Sequence, residues 1–192
     1  MADIKKAAVI GAGTMGAAIA AQFANAGTPV LLLDIVPQGA TNRNALAEGA
    51  IAKMLKTDPA PFMSNAAAKL VTPGNIEDDL GKLADVDWVV EAIIERLDLK
   101  QDLYRKIDAV RKPGTAVSSN TSTIPLTKLV DGSGEAFARD FLITHFFNPP
   151  RYMRLLEIVA GPKTDAALAA KVEAFADIHL GKSIVRTKDS PG

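Results

Sequence analysis

The chain has 192 residues, with 22 Lys+Arg against 22 Asp+Glu and no cysteine. Without thiols there is no disulfide scaffold, thiolate zinc site, iron–sulfur ligation or cysteine nucleophile. Zero formal charge without a basic tract gives nucleic acid or an anionic membrane no electrostatic footprint. With 48% apolar residues the chain can bury a full core, and its length fits one domain.

Lys5-Lys6 ahead of Ala7-Ala8-Val9-Ile10 has the outline of a secretory signal. Asp3 among the cations, and Gly11, Gly13 and Gly16 within the would-be apolar segment, argue against it. No run reaches the ~18 apolar residues of a membrane span, so a soluble, cytoplasmic protein is expected. Ala7–Ile10 and Pro29–Leu33 read as strands buried on both faces. Between them Met15, Ile19, Gln22 and Phe23 recur at helical spacing, and Asn25-Ala26-Gly27 supplies the stop. This is a strand–helix–strand unit with parallel strands.

From Gln38 to Asn75 the alternation breaks. Leu46, Ala50, Met54 and Ala47, Ile51, Leu55 form one apolar stripe, Pro59-Ala60-Pro61 interrupts it, and Ala66–Val71 suggests a second short helix. The expectation is a helical hairpin inserted after the second strand over about 38–75. Further strands are expected at Asp87–Ala92, Ala116–Ser119, Phe141–Thr144, Leu155–Val159 and Ser183–Arg186, with helices near Leu97–Arg111 and Asp165–Leu180. The fold class is α/β: a Rossmann-type, doubly wound, mostly parallel sheet.

Gly11-Ala12-Gly13-Thr14-Met15-Gly16 is a G-x-G-x-x-G that follows a strand and opens a helix, with Asp34 eighteen residues beyond its last glycine at the end of the next strand. Gly11 permits the tight turn, Gly13 lets the backbone approach a pyrophosphate, and Gly16 lets helix and strand pack closely. Thr14 and Met15 open the helix whose N-terminus receives the pyrophosphate. A purely structural glycine turn is the alternative. An acid at position 34 suits the ribose hydroxyls of NAD and repels a 2′-phosphate by ~4 kcal/mol per charge pair at 4 Å and an effective dielectric near 20. NAD is therefore expected over NADP, unless Asp34 merely ends a strand.

His145 follows the apolar run Phe141–Thr144, and Glu157 interrupts the apolar strand pattern Leu155–Val159. A carboxylate within an apolar strand wants a partner. Twelve residues across a proline-rich turn bring the two together on antiparallel neighbours, where the acid fixes the imidazole tautomer and stabilises the imidazolium. The pair is either a general base or a structural hydrogen bond. The loop Ser118–Thr123 leaves the ligand-binding end of a strand, and serves a nicotinamide or substrate oxygen or merely caps a helix. His179, at a helix C-terminus, is read as structural. Lys53 and Lys56 are read as solvated lysines on a helix.

These pieces resemble the L-3-hydroxyacyl-CoA dehydrogenase family over nearly the whole chain. The resemblance is carried by Val9–Gly16, Asp34, Val90-Glu91-Ala92-Ile93-Ile94-Glu95 with Lys100, Ser119–Ser122, His145-Phe146-Phe147-Asn148-Pro149, Leu156–Val159 and Lys188–Gly192. It implies NAD-dependent oxidation of a 3-hydroxyacyl-CoA to its 3-oxo form, with an acyl-CoA substrate. By resemblance His145 is the catalytic base, Glu157 its orienting partner, and Ser122 the hydroxyl contacting substrate and nicotinamide. Glu95, Lys100, Asn120 and Asn148 match positions at the cofactor and active-site mouth. No metal is implied. Arg151-Tyr152-Met153-Arg154 departs from the family's shorter apolar link. The family continues into a helical C-terminal domain that covers the cleft and makes a homodimer. The expectation here is the NAD-binding domain over 1–192 without that domain, binding NAD but turning over poorly. A dehydrogenase of another 3-hydroxy acid and an NAD-binding module without turnover are the alternatives.

Overall fold

Period-2 burial on both faces organises the sheet of this computed structural model, which describes residues 4–190; Asp3, Pro191 and Gly192, used in the sequence argument, lie outside them. In β1 (Ala7–Ile10), β2 (Val30–Asp34) and β4 (Trp88–Glu91), Ala7, Val9, Val30, Leu32, Trp88 and Val90 enter one core layer. Ala8, Ile10, Leu31, Leu33 and Val89 enter the other. Strands covered twice need apolar residues throughout, which is why these segments read as continuous apolar runs.

The sheet has eight strands in the order β3-β2-β1-β4-β5-β6-β7-β8, completed by β3 (Val71–Asn75), β5 (Ala116–Ser119), β6 (Phe141–Phe146), β7 (Leu155–Ala160) and β8 (Ser183–Arg186). All neighbours are parallel except β6 and β7. α1 (Thr14–Asn25) and α7 (Ala166–Ile178) bring Phe23 and Phe175 onto Trp88, whose ring centroid lies 5.0 Å and 6.2 Å from theirs. On the opposite face α4 (Leu97–Asp108) and the short α6 (Glu135–Arg139) bring Tyr104 and Phe137 onto Phe141. The one-turn α5 (Leu126–Leu129) is tied at its start by Asp189, which accepts from the Leu126 and Thr127 N–H groups.

The insertion differs from the hairpin expected over 38–75. It contains α2 (Ala45–Met54) and only one further turn, α3 (Asn65–Ala68); its last five residues are β3, running parallel to β2 from Val30↔Val71 to Asp34↔Asn75. Pro73 and Gly74 disguise that strand in the sequence. Proline is tolerated because β3 is an edge, and a Cβ on Gly74 would stand 2.8 Å from Leu33 Cδ2. The departing Arg151-Tyr152 pair has a visible use: Arg151 donates to the Ala60 and Phe62 carbonyls (2.6 and 3.0 Å) and the Tyr152 hydroxyl to Ala60 (3.0 Å), binding the insertion to the β6–β7 turn.

Candidate active site

The glycine turn sits where the strand order reverses, between β1 and its two neighbours β2 and β4, the usual place for a ligand in an open parallel sheet. Gly11 has φ +104°, and a Cβ there would lie 2.5 Å from the Ala92 carbonyl oxygen; one on Gly16 would lie 1.8 Å from the Gly11 carbonyl oxygen. Both glycines are demanded by packing. Gly13 is different, because a Cβ there would meet nothing within 4 Å. No side chain caps α1, which begins at Thr14, and its first turn holds no acid. Asp34 ends β2 and anchors the turn, its Oδ2 accepting from the Ala12 N–H at 2.6 Å and its Oδ1 from the Ile35 N–H at 2.7 Å. Each oxygen keeps a further lone pair.

His145 and Glu157 are directly opposite residues of the one antiparallel pair, and His145 Nδ1 lies 2.9 Å from Glu157 Oε2. β6 runs through Phe146, so His145 is a strand residue held by the ladder rather than a loop residue. With Nδ1 engaged by the carboxylate, Nε2 is the nitrogen left for a reacting hydroxyl. Glu157 is less buried than an acid in an apolar strand suggests: its side chain is 34% exposed, so its desolvation cost is modest. Both residues line a cleft of about 210 Å³ with Thr121, Ser122 and Lys188. Ser122 also lines an adjoining crevice of about 250 Å³ with Met15, Ala92, Glu95, Lys100 and Asn120. One hydroxyl thus stands in the wall shared by the His/Glu cleft and the crevice beside the glycine helix.

The family described as "3-hydroxyacyl-CoA dehydrogenase, NAD binding domain" matches residues 6–190. The chain belongs to that family. It is similar to a probable 3-hydroxyacyl-CoA dehydrogenase of Deinococcus radiodurans, 54% identical over 98% of this chain and 55% of that protein. A probable 3-hydroxyacyl-CoA dehydrogenase of Bacillus subtilis is 44% identical over 98% of this chain and 26% of its own length. The crystal structure of 3-hydroxybutyryl-CoA dehydrogenase from Escherichia coli K12 superposes with a TM-score of 0.82 at 31% identity, covering 100% of this chain and 39% of that one. The chain therefore spans about half of the first relative and about a quarter of the second.

Within this NAD-binding domain the structure shows what holds several of the expected site residues. Lys100 is 1% exposed; its ammonium points inward to Glu91 at 2.6 Å and reaches Glu95 at 3.3 Å. Asn148 does not line the cleft of His145 but a larger apolar one of about 420 Å³, with Gly13, Thr14, Lys53, Pro149 and Arg151. Lys53 therefore reaches a cleft, whereas Lys56 is exposed and is not among its lining residues. Asn120 braces rather than projects: its Oδ1 accepts from the Phe146 N–H at 2.9 Å, tying the β5 loop to β6. His179 caps α7 with its ring stacked 4.8 Å from that of Phe175, a structural placement.

Sequence reasoning missed the buried polar centre under the crevice. Glu91, fully buried at the end of β4, accepts from Lys100 Nζ (2.6 Å), the Tyr104 hydroxyl (2.6 Å), the Ser119 hydroxyl (2.7 Å) and the Ile93 N–H (2.8 Å). Burial, reinforced by the neighbouring Glu91 charge, pushes the Tyr104 phenol well above its ordinary range. The signal was available: Glu91 ends an apolar strand as Glu157 interrupts one, and Lys100 and Tyr104 share a helix face one turn apart. Glu95 clamps the Ser122 loop by accepting from the Thr121 and Thr123 hydroxyls on either side of Ser122. Burial works to raise the Glu95 carboxyl, but the Thr121 hydroxyl, Lys100 and Thr123 outweigh it and hold it below the usual range.

Proposed function

We propose that the protein carrying this chain oxidises the 3-hydroxyl of an L-3-hydroxyacyl-CoA to a ketone with NAD, as in fatty-acid β-oxidation, through the thirteen site residues to which the resemblance gives a role. The observation that supports it most directly is Ser122 in the wall shared by the His145/Glu157 cleft and the crevice beside the glycine helix. The residues present suit a dinucleotide: open space over Gly13, an uncapped helix start, and an acid at the end of β2 with lone pairs free for ribose hydroxyls. Among the described residues no cluster suits a metal ion.

When bound, NAD supplies the hydride acceptor. The glycine turn and the start of α1, from Gly11 to Gly16, take the pyrophosphate, and Asp34 takes the adenosine ribose. Met15, Glu95, Lys100 and Asn120 shape the inner crevice; Asn148 closes the side over Thr14. Ser122 holds the substrate oxygen by hydrogen bonding. His145 Nε2 takes the hydroxyl proton as the carbon–hydrogen bond breaks, and Glu157 stabilises the imidazolium, an arrangement of general-base catalysis typically worth ~10²–10⁴ in rate.

By the same resemblance the protein works in the cytoplasm and pairs as a homodimer through the family's helical domain. Among the described residues no helix is long and apolar enough to cross a membrane. The test is NADH consumption with acetoacetyl-CoA against free acetoacetate, on this chain and on a version continued through the helical domain. Consumption with the thioester supports the reading. Consumption with the free acid alone overturns it in favour of another 3-hydroxy-acid dehydrogenase, and NADH binding without turnover in either form overturns it in favour of a binding module.

A further inference from the structure

Glu91, Lys100 and Glu95 form one charged line from the buried centre to the crevice. Lys100 Nζ lies 2.6 Å from Glu91 and 3.3 Å from Glu95, and the three side chains are 0%, 1% and 40% exposed. Every partner of Glu91 is a donor: an ammonium, two hydroxyls and a backbone N–H. An ionised carboxylate is the acceptor that such a set requires. Two carboxylates share one ammonium, so the line carries one net negative charge, and its exposed end, Glu95, lines the crevice with Met15, Asn120 and Ser122. Tyr104 and Ser119 add hydrogen bonds to Glu91 without altering that balance.

Resting on the assignment of this crevice to the nicotinamide half of NAD, we propose that the net charge of the Glu91–Lys100–Glu95 line biases the site toward the oxidised, cationic nicotinamide over the reduced, neutral one. Glu91 touches neither cofactor nor substrate; it acts by setting how much of the Lys100 charge is left to offset Glu95. The consequence is directional. A site that favours the oxidised cofactor takes up NAD⁺ and releases NADH readily, and holds the bound NAD⁺ as a correspondingly weaker oxidant. A unit charge acting over roughly 10 Å at an effective dielectric near 20 is worth about tenfold in a ratio of affinities.

The experiment measures Kd for NAD⁺, NADH and ADP-ribose by equilibrium titration. Glu91→Gln brings the line to zero charge, and the ratio Kd(NADH)/Kd(NAD⁺) falls about tenfold, while ADP-ribose, which has no nicotinamide, binds unchanged. Glu91→Gln with Lys100→Met removes a neutral buried pair, a change that folded proteins often accept. It leaves Glu95 alone at minus one, so the ratio returns to the wild-type value. Equal weakening of both cofactors in Glu91→Gln, or a double variant that keeps the lowered ratio, overturns the proposal. If Glu91→Gln does not fold, Glu95→Gln added to the double variant must produce the same tenfold fall, and an unchanged ratio there overturns it. Failure of the wild-type protein to bind ADP-ribose or NAD⁺ refutes the assignment of the crevice itself.

Discussion

Replacing Glu157 by Gln keeps the size of the side chain and an acceptor oxygen for His145 Nδ1, and removes only the charge. The two groups are 2.9 Å apart at their nearest atoms, so charge centres about 4 Å apart interact by ~4 kcal/mol at an effective dielectric of 20 and ~1 kcal/mol in bulk water. The side chains are 22% and 34% exposed, which places the pair between those limits, at about 2 kcal/mol. That energy acts when the imidazole is protonated, so kcat for oxidation of 3-hydroxybutyryl-CoA falls about 30-fold. Kd for NAD⁺ and the thermal midpoint stay near wild type, because the β6–β7 ladder does not depend on the carboxylate. Steady-state kinetics in the form that turns over, with NAD⁺ titration alongside, reads both. A kcat within twofold of wild type, or a loss that appears wholly in NAD⁺ affinity, would refute the reasoning.

The glycine turn gives a contrast within one motif. Gly13→Ala meets no atom within 4 Å, so it leaves the denaturation midpoint unchanged but weakens NAD⁺ binding at least tenfold by filling the pyrophosphate cradle; Gly16→Ala, at 1.8 Å from a carbonyl oxygen, lowers the midpoint itself. Changing Asp34→Ser together with the exposed Ile35→Arg removes the repulsion of a 2′-phosphate and adds a cation, and should shift the NADH/NADPH preference at least tenfold toward NADPH in Kd. Unchanged preference would mean that Asp34 serves only the Ala12 N–H. Burial lowers the Lys182 ammonium from its ordinary 10.5 to about 8, beneath the Pro150 and Met153 carbonyls to which it donates. The unfolded chain then holds the extra proton between those pH values, so this group's contribution to stability rises across that window. Denaturant titrations should show the rise in wild type and a flatter profile in Lys182→Met.

Much of this architecture is legible in the residues because period and punctuation agree. Ala7–Ile10, the glycines and the Ala-rich run to Asn25 predict β1, the turn and α1 within a residue or two, and the His145–Glu157 contact follows from one strand rule applied to an acid. The exceptions have physical causes. β3 hides behind Pro73, tolerated at the sheet edge, and Gly74, closely packed by the Asp79 and Leu33 side chains, and neither pairing nor packing is visible in the local pattern. Resemblance places Lys100 by the cofactor but does not disclose its buried ion pair, because the partner Glu91 lies nine residues away across a strand–helix loop. Asn148 shares a segment with His145, but the turn after β6 carries it over α1 to the other side of the glycine loop.

The account stands on His145 as the proton acceptor beside the nicotinamide crevice. His145→Gln tests this most directly, with kcat for 3-hydroxybutyryl-CoA oxidation measured beside NAD⁺ affinity. The account predicts a loss of at least 100-fold in kcat with NAD⁺ binding intact. Turnover near the wild-type rate would contradict it.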